Sequence, residues 1–175
     1  MTRLASLAGL AALLFLAGCN TQRIGICPGS AILADTATEA VMRPGAPLDL
    51  SGVAATASIT DISSSCIFDR AKGVTLSRVD IDFRATRTPT ADAVSYTLDY
   101  FVTVNSAERL LSKKLYKVRF DFAPGAALAT ASESPDQVQV ELERGHLPNE
   151  YQVLVGFQLT PEQLAFNRKM GRFVP

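Results

Sequence analysis

The chain has no tryptophan, one histidine and three cysteines in 175 residues. A single histidine, His146, cannot build the His-rich sites that hold zinc. Without tryptophan the Cys…Trp…Cys signature of antibody domains is missing. There is no Gly-x-Ser-x-Gly elbow for a nucleophilic serine, no Gly-x-Gly-x-x-Gly turn and no Gly-Lys-Ser/Thr phosphate loop. Net charge is also missing, since 17 basic and 17 acidic residues cancel. A neutral chain carries no electrostatic footprint for nucleic acid and no polybasic patch for anionic lipid. His146 sits in a Gly145-His146-Leu147-Pro148 turn. A triad with one of Ser63, Ser64 and Ser65 is one reading of it. A structural or merely exposed turn residue is the plainer one. No catalytic residue, cofactor or metal is expected.

What the sequence does have begins at its N-terminus. Met1-Thr2-Arg3 is followed by residues 4–17, all Leu, Ala, Gly or Phe except for Ser6. A positive start before a short apolar run is the layout of an export signal. The run is too short to span a bilayer core, which takes about 20 residues. It ends in Leu16-Ala17-Gly18-Cys19, which resembles the lipobox of bacterial lipoproteins. The resemblance implies that diacylglycerol is placed on the Cys19 thiol and that a dedicated peptidase cuts between Gly18 and Cys19. One acyl chain holds a protein only marginally, so durable anchoring takes two or more; a lipoprotein cysteine carries two or three. Residue 20 is Asn rather than Asp, which leans toward the outer membrane over the inner.

The expected organisation is a signal peptide at 1–18, a lipidated N-terminus and tether at 19–26, and one domain at 27–175. Removing residues 1–18 leaves 157 residues with 16 cations and 17 acids. That is enough for a single sizeable core. Cys27 and Cys66 remain, an even pair in an oxidising compartment, and read as a disulfide. A metal or redox pair is the competing reading, but no Cys-x-x-Cys spacing supports it.

Alternation of period two dominates the mature chain. Val79, Ile81, Phe83 and Ala85 face one way, against Arg78, Asp80, Asp82 and Arg84. Tyr96, Leu98, Tyr100, Val102 and Val104 repeat the pattern, as do Tyr116, Val118, Phe120 and Phe122. Further strands are expected at 31–35, 53–62, 66–69, around Val138 to Leu142, and at 151–159. Residues 43–47, 87–93 and 123–136 read as loops. Thr160, Pro161 and Gln163 form a helix start with a capping box. Phe166, Met170 and Phe173 then make an apolar stripe on a helix at about 160–171.

Six or seven strands without intervening helices predict an all-β fold. The architecture expected is a single antiparallel β-sandwich, immunoglobulin- or fibronectin-III-like, with a short C-terminal helix. The segment Val155-Gly156-Phe157-Gln158-Leu159-Thr160-Pro161-Glu162-Gln163-Leu164 is similar to small uncharacterised envelope lipoproteins of proteobacteria. Asp80 and Asp82 share a face and offer a calcium or proton-sharing pair, but flanking Arg78 and Arg84 favour a solvated face. The basic run from Lys113 to Arg119 reads the same way.

The function expected is therefore a non-enzymatic interaction or structural module. It is held in the cell envelope by lipid on Cys19 and faces the periplasm, with an envelope protein as partner and no nucleic acid. Phe166, Met170 and Phe173 are the candidate docking residues, against the alternative that the helix simply packs on the sandwich. A module taking a small apolar ligand or lipid between its sheets is the second reading. An envelope hydrolase using His146 is the third.

Overall fold

The computed structural model describes residues 26–107 and 109–170. Gly18, Cys19 and Phe173 lie outside the described residues, as does the whole export signal. Among the described residues, nine strands form two sheets. They are β1 (Gly29–Ile32), β2 (Thr38–Met42), β3 (Val53–Asp69), β4 (Val74–Arg87), β5 (Val94–Ser106), β6 (Arg109–Phe122), β7 (Leu128–Glu133), β8 (Val138–Glu141) and β9 (Tyr151–Phe157). An α-helix, α1 (Pro161–Met170), follows. One sheet runs β1-β9-β5-β6; the other runs β2-β3-β4-β7, with β8 also paired to β4.

The alternation in the sequence decides which side chains meet between the sheets. On β4, Val79, Ile81, Phe83 and Ala85 are buried while Arg78, Asp82 and Arg84 are exposed. Phe83 is the centre of the core. Its ring lies 5.2 Å from Tyr100, 5.9 Å from Phe157 and 6.4 Å from Phe120, in tilted and edge-on geometries. Those three rings come from three strands of the opposite sheet, so one side chain ties the layers together. Arg87, expected in a loop, instead ends β4. It is buried, donates to the carbonyls of Ala126 and Asp92, and lies 4.9 Å above the Phe122 ring.

Four elements differ from the reading of the sequence. β7 occupies the middle of 123–136, a stretch of small residues expected to be a loop. It is an edge strand against β4, with Ala129 and Ala131 opposite Ala85 and Phe83. β2 was not anticipated. β3 runs unbroken through the serines at 63–65, because a bulge between Ile59 and Asp61 shifts its phase. Ala55, Ala57 and Ile59 point inward before it, and Ile62 and Cys66 take the inner positions after it. Finally, β1 is shifted to Gly29–Ile32 and pairs with β9 in parallel, the one departure from antiparallel pairing among the described strands.

Cys27 and Cys66 form a disulfide with Cα atoms 5.7 Å apart. It joins the start of β1, in one sheet, to β3 in the other. Ser30 and Ser64 hydrogen-bond across the same gap at 3.0 Å.

Candidate functional site

The turn from Leu48 to Gly52 is fixed by its own polar groups. Asp49 Oδ1 accepts hydrogen bonds from the Ser51 amide at 2.8 Å, the Gly52 amide at 3.2 Å and the Ser51 hydroxyl at 2.6 Å. The Ser51 hydroxyl first, then these amides, hold the Asp49 carboxyl below the usual carboxylate range. Arg43 donates to the Ser51 carbonyl from outside. Gly52 is required here, since a Cβ would lie 2.1 Å from the Pro47 carbonyl oxygen. The result is a rigid turn that leaves Leu48 and Leu50 exposed, Leu50 at 65%.

Helix α1 begins as its sequence suggests. The Thr160 amide donates to Gln163 Oε1 at 2.8 Å, and the Gln163 amide donates to Thr160 Oγ1 at 3.2 Å. Its seat on the sheet is polar, however, where an apolar stripe was expected. Asn167 is buried and donates to the carbonyls of Thr38 at 2.7 Å and Asp35 at 3.1 Å. Arg168 pairs with Asp35 at 3.0 Å. Gln163 donates to Glu39 Oε1 at 3.2 Å. Nothing in the sequence singled out Asn167, because a polar residue at a helix contact carries no periodic signal.

Phe166 and Met170 are half-buried beside this seat. With Leu48, Leu50 and Lys169 they line a groove of about 420 Å³. A second hollow of about 410 Å³, over Ala40, Thr56 and Thr86, shares Leu50 and Phe166 as a common wall. Both sizes fall within the range of ligand and peptide pockets. So the structure brings two of the three expected docking residues together. It adds Leu48 and Leu50, which were passed over as part of a mixed loop region.

The other sites weighed in the sequence are occupied by local bonds. His146 Nδ1 lies 2.7 Å from Glu150 and its ring packs edge-on against Tyr151. Ser64 bonds Ser30, as described. Asp80 accepts from Ser134 and Arg78, and Asp82 from Ser132 at 2.6 Å. Among the described residues, no group of three His, Cys, Asp or Glu side chains could hold a metal ion. On β6, Lys117 pairs with Asp99 at 2.7 Å and Arg119 with Asp121 at 2.8 Å, while Lys113 sits 4.5 Å above the Phe101 ring.

A separate cleft opens between the sheets where β6 faces β8. Two hollows of about 330 and 160 Å³ share Ser112 and Gln139 and are walled by Val102, Val104, Val138 and Val140. The Tyr116 hydroxyl is buried in this wall without a partner. No protein family, no curated protein and no solved structure matches the chain.

Proposed function

We propose that this protein is a lipid-anchored, non-enzymatic interaction module of the bacterial cell envelope. Cys19 carries the acyl chains and the sandwich presents its α1 groove to an envelope protein. The address rests on residues 1–19 of the sequence and on the disulfide, which suits an oxidising compartment. The observation that carries the docking role is the groove itself. Leu48 and Leu50, on a turn braced by Asp49, stand opposite Phe166 and Met170 on a helix braced by Asn167. Apolar side chains held in place by local polar bonds lose little entropy on meeting a partner. The groove also lies at the start of β3, the end of that long strand opposite Cys66 and the tether. A module anchored at one end and adhesive at the other suits a linking role.

The test is site-specific photo-crosslinking in cells, with the reactive group at position 50 or 166 of the full chain and a control at position 84 on the outer face of β4. A discrete adduct from 50 and 166, absent from 84 and lost in Leu48→Glu, is expected. Equal labelling from all three positions, or adducts only within the chain itself, would contradict a partner at this groove.

The cleft between β6 and β8 favours a second reading, a small apolar ligand held between the sheets. Its valine walls and the unpartnered Tyr116 hydroxyl suit an amphiphile with one polar group. Tyr116→Phe would then weaken binding, whereas under the docking reading it leaves crosslinking from 50 unchanged.

A further inference from the structure

We propose that the end of the sandwich nearest the tether rests on the membrane, with Ile67, Leu110, Leu111 and Leu147 dipping into the headgroup region of a phospholipid bilayer. The inference rests on the lipid-anchor reading above. Strand register places Ile67, Leu110 and Leu111 at one end, and Leu147 stands four residues before Tyr151, which is aligned with Ser106 at the β5–β6 turn. Gly29, at the start of β1, is aligned with Gln152 on β9, which is aligned with Asn105 on β5 and through it with Leu110 on β6. The chain therefore leaves toward Cys19 level with the β5–β6 turn. Arg109, at that turn, pairs with Glu143 beyond β8. Leu111 shares a hollow with Val140 and Glu141, whose β4 partners Thr75 and Val74 adjoin the β3–β4 turn. Cys66, bonded to Cys27, lies on β3 next to Ile67. Three connections and the tether thus converge on one end of the body.

That end exposes four large apolar side chains. Ile67 is 72% exposed, Leu110 54%, Leu147 43% and Leu111 39%. Exposed apolar side chains gathered at one end of a body mark a surface that a partner phase can cover. The charges there are largely balanced, with Lys72 on Asp69 and Arg109 on Glu143. The attraction is therefore apolar rather than electrostatic. The long stems of Lys72 and Arg109 can lie along the apolar surface with their charges in the headgroup layer.

Covalent reach selects the bilayer as occupant. Cys27 is fixed to the body and stands eight residues after Cys19, a span of at most about 28 Å when fully extended. β3 has 17 residues and so is about 56 Å long. The anchor keeps Leu110 and Ile67 beside the membrane and leaves the α1 groove far from it. Contacts that would be too weak between free molecules become effective when a tether makes them intramolecular.

The absence of tryptophan supplies the probe. Single substitutions Ile67→Trp, Leu111→Trp, Leu50→Trp and Leu128→Trp are made in the full chain. The lipidated protein is placed in phosphatidylcholine vesicles whose acyl chains carry bromine, a contact quencher. Fluorescence from positions 67 and 111 should be quenched several-fold more than from 50 and 128, and salt should not reverse it. Equal, weak quenching at all four would overturn the proposal, as would stronger quenching at 50 and 128. So would protection of position 111 by a co-purifying protein in place of lipid. The intact mass of the same sample separates the two claims. An acylated protein with unquenched probes sinks only the resting face, whereas a protein without acyl mass sinks the anchor and the face together.

Discussion

Gln163 reaches across 124 residues of chain to donate a hydrogen bond to Oε1 of Glu39, while the other oxygen of that carboxyl is buried without a partner. A half-satisfied carboxyl at the seat of α1 makes the helix contact sensitive to pH. Burial is the main cause that raises the Glu39 pKa from 4.5 to about 7; the Gln163 bond opposes it and Asp99 adds to it. The folded value lies above the unfolded one, so folding favours the protonated form. Stability from this group is fully present below about pH 4.5 and is lost as pH rises to about 7. Glu39→Gln keeps an acceptor for Gln163 and removes the titration. In urea unfolding it should match the parent near pH 4.5 and exceed it at pH 8, by up to about 3 kcal/mol. An unchanged difference at both pH values would refute the assignment.

Asn167 is the other half of that seat. Asn167→Ala removes both amide hydrogen bonds and strands the Thr38 and Asp35 carbonyls. The expected cost is about 1–3 kcal/mol, felt locally. Hydrogen exchange should quicken for the amides of 164–170 while β5 stays protected, and crosslinking from position 166 should fall.

The disulfide closes a loop with a sequence separation of 39, which in the chain-entropy model contributes about 4 kcal/mol. Reduction, or Cys27→Ser with Cys66→Ser, should lower unfolding stability by that order. It should also release β1, whose four residues lie at the edge of their sheet. Loss of less than about 1 kcal/mol would mean that β9 and the Ser30–Ser64 bond hold β1 unaided.

Gly156 on β9 is closely approached by its neighbours. A Cβ there would stand 1.9 Å from Thr36 Oγ1 and 2.7 Å from Phe101 Cζ. Gly156→Ala should therefore destabilise by about 1–3 kcal/mol through overpacking. Thr36→Ala in the same chain should restore part of the loss, because it removes the Oγ1 contact and leaves those with Phe101 Cζ and with the Cβ of residue 36 at 2.9 Å. A double-mutant cycle by thermal unfolding measures that coupling.

The long amphipathic strands were legible because their buried faces are large. Phe83 and Phe120 alternate with charged neighbours, and no helix can present that period. The disulfide was legible from compartment and parity. β7 was not, because Ala129, Ala131 and their Thr and Ser neighbours carry little hydrophobic signal and owe their place to pairing with β4 and packing against β6. The bulge at Ile59/Asp61 hid the continuity of β3 by switching its phase. At the candidate site, Phe166 and Met170 stood out by spacing, whereas Leu48, Leu50 and Asn167 acquire meaning only once β2 and α1 are side by side.

The anchor is the central claim, and intact-mass analysis of the detergent-extracted protein tests it most directly, beside a Cys19→Ser variant. The account predicts a wild-type mass equal to residues 19–175 plus two or three acyl chains, with Cys27 and Cys66 alkylated only after reduction. A mature mass without acyl chains, or a mass retaining residues 1–18, would contradict it.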